Sequence, residues 1–336
     1  MINFFKPICK NLNGIIKESL IIALPLYRIM IPMIIVVKIL KEIGAVEILG
    51  QWLAPMMAIV GLPGNMGLVW AATLLGGFFP GIIIFADLAA SEILSVRQVT
   101  VLSSLMLIAH SFPIELQIAD RAGARWLSMG LIRFGGALLY GMILNQLLIW
   151  GNWLTERSIL LWYPQSGGID LQTWAYEQLK GLVLMFIVLF LLLQLMKLRD
   201  VLGLNRFLEL IFQPLLSKIG IGKEATNITV IGMTLGIAYG GGIIIRESSL
   251  GKISSRDIFF SMVLMGFFHS VIEDTLLILL LGGNLWGILV GRMIFAFFVV
   301  WLIVRLFSLI SEKKIQSFFF KPESSCRLRK ITDNTV

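Results

Sequence analysis

Two stretches of this chain, Met66 to Ala86 and Ala225 to Ile245, contain no charged residue. About 20 apolar residues is the length a helix needs to cross the hydrocarbon core of a bilayer, and runs of that kind find no stable exposure to water. Phe134 to Trp150 and Gly181 to Met196 are shorter uncharged runs that their flanks extend. Of the 336 residues, 57% are hydrophobic and 14% charged, whereas soluble domains carry about 25% charged residues. The apolar spacing is helical and lacks the alternation of an outer-membrane barrel. The predicted fold class is an all-α polytopic membrane protein whose first partner is the lipid bilayer.

The net charge of +8 comes from basic residues lying between and beyond the apolar runs. That placement reads as membrane topology and not as a nucleic-acid surface. Two cysteines, Cys9 and Cys326, stand in the polar termini, so no disulfide framework is implied. No small-residue cleavage site precedes a polar mature region, and no removable signal peptide is expected.

The chain also repeats itself. At an offset of 159, residues fall into register without a gap. Pro55 meets Pro214, Gly61 meets Gly220, Gly77 meets Gly236 and Gly81 meets Gly240. Ser95 and Arg97 meet Ser254 and Arg256, and Leu105 and Met106 meet Leu264 and Met265. His110 and Ser111, Gly123 and Arg133 meet His269 and Ser270, Gly282 and Arg292, while Glu115 meets Asp274 with its charge preserved. The two histidines of the protein are thus repeat mates.

Charge gives the halves an orientation. Lys6, Lys10 and Lys17 mark the N-terminus as cytoplasmic, and Lys313, Lys314, Lys321, Arg327, Arg329 and Lys330 mark the C-terminus likewise. The centre, Gly151 to Thr173, carries only Glu156, Arg157 and Asp170, with Trp153, Trp162 and Tyr163 suited to an interface. With the centre outside, each half crosses an odd number of times and the two have opposite topology, a hallmark of secondary transporters. About ten apolar segments are expected: 18–38, 44–60, 66–90, 98–119 and 127–150, then 172–196, 207–219, 225–246, 258–281 and 285–308. Those at 44–60 and 207–219 are weak enough to be re-entrant or interfacial; five crossings per half, or three if a second segment is also re-entrant, keep the count odd. The organisation is a cytoplasmic segment 1–17, a first repeat 18–150, an extracytoplasmic linker 151–171, a second repeat 172–310 and a basic cytoplasmic tail 311–336, in a bacterial inner membrane.

The third segment of each half is helix-breaking near its middle: Gly76-Gly77-Phe78-Phe79-Pro80-Gly81 in one, Gly236-Ile237-Ala238-Tyr239-Gly240-Gly241-Gly242 in the other. Broken helices at matching positions point to a transport site. Close helix packing is the competing role, since Gly77 with Gly81, and Gly232 with Gly236 and Gly240, are small-xxx-small series. The fourth segments carry His110-Ser111-Phe112-Pro113-Ile114-Glu115 and His269-Ser270-Val271-Ile272-Glu273-Asp274. Acids within spans are costly and usually functional. His269 and Glu273, four apart, share a face on a straight helix, which makes His110, His269 and Glu273 candidate metal ligands. Such an inventory binds a divalent cation or relays protons; the structural alternative is packing histidines and acids that balance arginines. Arg133 and Arg292, inside their spans, are candidate partners of Glu115 and Asp274, with snorkelling to the interface as their other role. Arg28 is a weaker candidate. No phosphate-binding loop and no H-E-x-x-H motif is present, so an enzyme and a resident cofactor are not expected, and the engine is an ion gradient (proton or sodium) or the substrate's own. A homo-oligomer stays open.

Val60-Gly61-Leu62-Pro63-Gly64-Asn65, followed by Gly77-Phe78-Phe79-Pro80-Gly81 and Arg97, resembles the Gate domain of nucleoside-transporter-like and nucleoside-recognition membrane proteins, spore-maturation membrane proteins and ferrous-iron transporters. The resemblance implies a permease for a small polar, nucleoside-like solute. The ferrous-iron transporters carry a cysteine within the Gly-x-x-Pro stretch; here Phe78 and Phe79 stand there. The alternatives are a divalent-cation transporter, a non-transporting scaffold or accessory protein, and an intramembrane enzyme; a water-filled cavity reaching the histidines from one side speaks for transport, and a closed interior for the scaffold.

The charge asymmetry makes a topological prediction. In intact cells Cys9 and Cys326 should be protected from a membrane-impermeant thiol reagent, and a Ser166→Cys variant should react. Labelling of both native cysteines with Ser166→Cys protected reverses the orientation; labelling of one terminus alone ends the odd-crossing argument.

Overall fold

The computed structural model describes residues 12–89, 93–159 and 170–320. Cys9, Cys326, Trp162, Tyr163, Ser166 and the basic residues from Lys321 onward lie outside the described residues. In the first half the helices are α1 (Leu12–Glu42), α2 (Ala45–Ile59), α3 (Met66–Gly76), α4 (Phe78–Ala89), α5 (Val96–Ile108), α6 (Phe112–Ala122) and α7 (Trp126–Trp150). The second half has α8 (Leu171–Val201), α9 (Leu204–Ile219), α10 (Lys223–Leu235), α11 (Ile237–Ser249), α12 (Ser255–Phe267) and α13 (Glu273–Leu279). A π-helix (Trp286–Gly291) leads into α14 (Arg292–Leu309), and the short α15 (Glu312–Phe319) follows.

Among the described residues, five helical stretches are long and apolar enough to cross a membrane: Ser19–Glu42, Val96–Ala122, Trp126–Trp150, Leu171–Leu195 and Trp286–Leu309. The chain is a multi-pass membrane protein. Its surface follows from that solvent. On α7, Leu131, Leu139 and Ile143 face outward, and Trp126 and Trp150 are exposed at its two ends, where indole rings sit at membrane–water interfaces. Pro25 and Pro32 lie inside α1, a placement a membrane helix tolerates when neighbours re-satisfy the backbone. Beside these prolines α1 packs on α8, whose Leu182 carbonyl accepts from the Tyr27 hydroxyl at 2.7 Å.

The element bounds recur at the sequence offset. Leu12–Glu42 maps onto Leu171–Val201, and Val96–Ile108 onto Ser255–Phe267. The positive-φ residues pair in the same way: Gly44 with Gly203, Gly61 with Gly220, Gly77 with Gly236, Ser111 with Ser270 and Gly123 with Gly282. Left-handed backbone is sparsely populated for residues other than glycine, so its recurrence at Ser111 and Ser270 is a structural signature and not a compositional one.

The apolar stretches 66–90 and 225–246, expected as helices broken in mid-span, do more than break. Each reverses direction. A Cβ on Gly240 would run into the backbone of Gly232, and one on Gly81 would meet the Thr73 side chain; residues eight apart on a continuous helix stand about 12 Å apart. Thus α4 returns along α3 and α11 along α10, as two helical hairpins with arms of 11 to 13 residues. The reversal needs glycine. Gly77 has φ 89° and ψ −171°, and Gly236 has φ 94° and ψ 163°, a region open essentially to glycine alone. Gly77 and Gly236 turn the chain, and Gly81 and Gly240 let the arms approach, which is the close packing expected of the small-residue series, with Pro80 packed 3.0 Å from where a Gly76 Cβ would stand.

Contacts at the element ends fix how the halves interlock. The Val96 amide donates to the Glu156 carbonyl at 3.0 Å, and the Ser158 amide to the Leu94 carbonyl at 2.8 Å, so the start of α5 sits beside the end of α7. Asn284, leading into the π-helix, donates its amide to Thr100 Oγ1 at the same end. At the other end the Arg125 amide donates to the Phe319 carbonyl at 2.9 Å, and Ser248, at the end of α11, donates to the Ala122 carbonyl at 3.1 Å. The mouth of the α3–α4 hairpin is tied by an ion pair of Asp87 with Lys41 at the end of α1.

Replacing the turn glycines tests this. Gly77→Ala and Gly236→Ala should each cost about 1–3 kcal/mol of stability, read as a lower unfolding midpoint in detergent. Gly135→Ala, on α7 with open space around a built Cβ, should be neutral or slightly stabilising. Equal effects at all three positions would contradict the hairpin geometry.

Candidate functional site

Between α5 and α6 the helix stops at Ile108 and restarts at Phe112, with Ser111 at φ 49°. The same break separates α12 from α13, with Ser270 at φ 44°. Backbone groups freed in a dry interior need partners, and the hairpin tips supply them. The Ser111 amide donates to the Thr73 carbonyl at 3.1 Å, and the Val271 amide to the Met233 carbonyl at 3.2 Å. The fit is close: a Cβ on Gly77 would stand 2.8 Å from Ser111 Oγ, and one on Gly236 2.9 Å from Ser270 Oγ. Each break thus rests on the hairpin of its own half.

The two breaks present their histidines to each other. His110 and His269, both buried, have their Nε2 atoms 3.1 Å apart. The far nitrogen of each ring is engaged symmetrically: Nδ1 of His110 lies 3.0 Å from the Met106 carbonyl oxygen, and Nδ1 of His269 lies 2.5 Å from that of Met265. A carbonyl oxygen only accepts, so each Nδ1 carries the proton and donates. In the neutral rings both Nε2 atoms then offer lone pairs. Glu115 adds a third acceptor, its Oε1 lying 3.1 Å from His110 Nε2 and 3.5 Å from His269 Nε2. Phe78 closes one side, its ring centroid 4.1 Å from that of His110.

The other oxygen of Glu115 is held by Arg133, Nη1 to Oε2, at 2.5 Å. Arg133 also donates from Nε to the Ile108 carbonyl at 3.0 Å and from Nη2 to that of His110 at 3.5 Å, which binds the open carbonyl end of α5. The expected Glu115–Arg133 pair therefore forms, inside the protein and not snorkelled. Its repeat mate does not. Arg292 is fully buried, and its three guanidinium nitrogens find no hydrogen-bond partner among the described residues. It lies over the Phe268 ring at 5.0 Å and interacts electrostatically with Asp274 and Tyr140. The π-helix just ahead of Arg292 explains the difference: its wider turn rotates Arg292 out of the register that Arg133 holds on the regular helix α7.

Asp274 is the acid that joins the histidines. Its carboxylate lies within 4.8 Å of ligand atoms of both His110 and His269. Glu273 was expected there from a shared helix face with His269. That geometry assumed continuous helix, whereas the chain leaves helix between Phe267 and Glu273 and turns the next residue inward. Ser111 and Ser270 stand behind the histidines against Gly77 and Gly236, while Pro80, Gly81 and Gly240 serve hairpin packing. Arg28 is on an exposed face. Arg97 donates to Asn145 at 3.2 Å, away from the histidines. The carbonyls of Met106 and Met265, the Phe78 ring and the π-helix carried no sequence signal, and the Lys41–Asp87 pair was legible only as charges close to span ends. Two small cavities, each of about 10 Å³, are lined by residues such as Met185 and Leu277, and Asp87 and Gln178; neither reaches the histidines, which sit in a closed interior.

Among known proteins, the chain is similar to an uncharacterized membrane protein, YvoD, of Bacillus subtilis (strain 168), at 26% identity over 274 residues that cover 79% of this chain and 85% of the relative. No family model matches the chain, and no solved structure matches it significantly. The relative agrees with a membrane protein and assigns no activity.

The asymmetry between the arginines predicts asymmetric mutational costs. Glu115→Gln leaves Arg133 buried and uncompensated and should cost about 3–5 kcal/mol, seen as lost folded yield that Arg133→Gln restores in the double variant. Asp274→Asn, which breaks no hydrogen-bonded ion pair with Arg292, should cost less. Equal losses, or no rescue, would contradict the pairing.

Proposed function

We propose that this protein is an inner-membrane permease in which two inverted-topology repeats hold a central transport site where their four helix interruptions meet. The observation that carries the reading is the 3.1 Å approach of His110 and His269, one from each repeat, at the tips of two hairpins. Reversed hairpins abutting interrupted helices bring non-helical backbone and ionisable side chains together, the arrangement secondary transporters use for their cargo and coupling ions.

The inverted topology draws support from the end contacts. The mouth of the α3–α4 hairpin is tied to the end of α1 through Lys41, close in sequence to Ser95 and the end where α5 meets α7. The α10–α11 hairpin is tied by Ser248 to the opposite end of the α5–α6 pair. Hairpins entering from opposite ends of one bundle are what two repeats of opposite orientation produce. With α2 and α9 at the surface and one hairpin per half, three crossings per half remain, and both termini fall on the same side. The resemblance to Gate-domain proteins favours a small polar, nucleoside-like solute as cargo; the His/carboxylate cluster favours a cation as cargo or coupling ion. The closed interior is the one observation favouring a non-transporting scaffold; in the permease reading it is the occluded state between two openings.

Alternating access is testable without knowing the cargo. In a background with Cys9→Ser and Cys326→Ser, Ser270→Cys should react with an impermeant thiol reagent added to right-side-out and, separately, to inside-out vesicles. Protection from both faces, in protein that remains monodisperse, would favour the scaffold and sink the permease.

A further inference from the structure

Resting on that reading for its purpose but not for its chemistry, we infer that the histidine pair is a binding site for a divalent transition-metal cation of the Zn2+ or Co2+ class. Its ligands are His110 Nε2, His269 Nε2 and Glu115 Oε1, with Asp274 closing the fourth position.

The argument begins with the acceptors. With each Nδ1–H committed to a methionine carbonyl, two imidazole lone pairs and a carboxylate oxygen converge, and none of the three donates to another. Their edges are 3.1, 3.1 and 3.5 Å. A tetrahedral ion with ligand bonds of about 2.0–2.1 Å holds its ligand atoms about 3.3 Å apart. The triangle therefore has the size of one face of a zinc-like coordination shell. Asp274, within 4.8 Å of both histidines, needs a shift of about 1–2 Å to complete it. The Nδ1–H to carbonyl bonds are the outer-shell contacts that fix the tautomer and ring orientation of metal-bound histidines, and here they occur twice, related by the repeat.

The ligand set discriminates. Calcium and magnesium take oxygen shells and leave imidazole unused, whereas two imidazoles with carboxylate suit Zn2+, Co2+, Fe2+ or Mn2+. Arg133 and Arg292 at the same cluster lower the affinity, because part of the carboxylate charge is already balanced. A site that loads and unloads needs binding strong enough to enter and weak enough to leave. Arg292, buried and acting electrostatically on Asp274, competes with the ion for that carboxylate.

The test uses the full chain, freed of any polyhistidine tag, purified in detergent and chelator-treated, then titrated with Co2+. A single Co2+ per chain is expected, with the intense visible absorption of a four-coordinate nitrogen–oxygen site, displaced by Zn2+ and left in place by Ca2+ and Mg2+. His269→Gln and Asp274→Asn should each weaken binding roughly tenfold or more. Absence of Co2+ binding by folded wild-type protein, or unchanged binding in His269→Gln, overturns the site. Should the variants fail to fold, the X-ray absorption fine structure of the Zn2+ form decides on wild-type protein alone. The chain has two histidines, so two imidazole ligands can come only from this pair, and fewer than two overturns the proposal. Ser270→Cys reactive from both membrane faces without Co2+ binding would remove the cation and keep the permease; Co2+ bound in a site sealed from both faces would do the reverse.

Discussion

Two imidazole nitrogens and a carboxylate oxygen, each with a lone pair to offer, stand 3.1 to 3.5 Å apart in the buried interior. Left bare they repel, and low dielectric strengthens the repulsion. A proton shared among them, or the cation proposed above, relieves that repulsion. The rest of the centre is organised around that requirement. The methionine carbonyls hold the outer ring nitrogens, so the inner ones stay free to bind. Arg133 takes only one of the two Glu115 oxygens and leaves the other for the histidines. Phe78 covers one ring face.

A duplicated unit reaches this geometry economically. Each half builds the same hairpin, the same glycine reversal and the same serine-terminated helix break. Neither half alone brings two imidazoles together. Departures from symmetry are then informative. Glu115 is held by a hydrogen-bonded ion pair with Arg133, whereas its mate Asp274 meets Arg292 only electrostatically.

Much of this was legible before any coordinates. The offset of 159 named the His-Ser pairs, the turn glycines and the arginines because repeat matching filters chance apolar identity. The cost of unpaired charge made Glu115–Arg133 one of two open roles for the arginine, beside snorkelling, and the structure shows the pair. What failed did so for one physical reason: helical periodicity was carried through positions where the chain is not helical. It put Glu273 on the face of His269 and in the candidate metal set, where the structure brings Asp274, also an ion-binding candidate, to the histidines, and it drew the third segments as interrupted rods when φ near 90° at Gly77 and Gly236 folds them back. The carbonyl partners of the histidines and the π-turn were out of reach, since neither backbone acceptors nor a widened turn leaves a residue-type signature.

The central claim is the meeting of the two histidines, and it can be measured directly. Because His110 and His269 are the only histidines in the chain, uniform 15N-histidine labelling gives a magnetic-resonance spectrum with two imidazoles. In protein reconstituted in lipid, both rings should carry the proton on Nδ1, and a through-space correlation should join the two Nε2 nuclei at a separation of about 3 Å. Two rings with no mutual correlation, or either ring protonated on Nε2 alone, would contradict the arrangement on which the account rests.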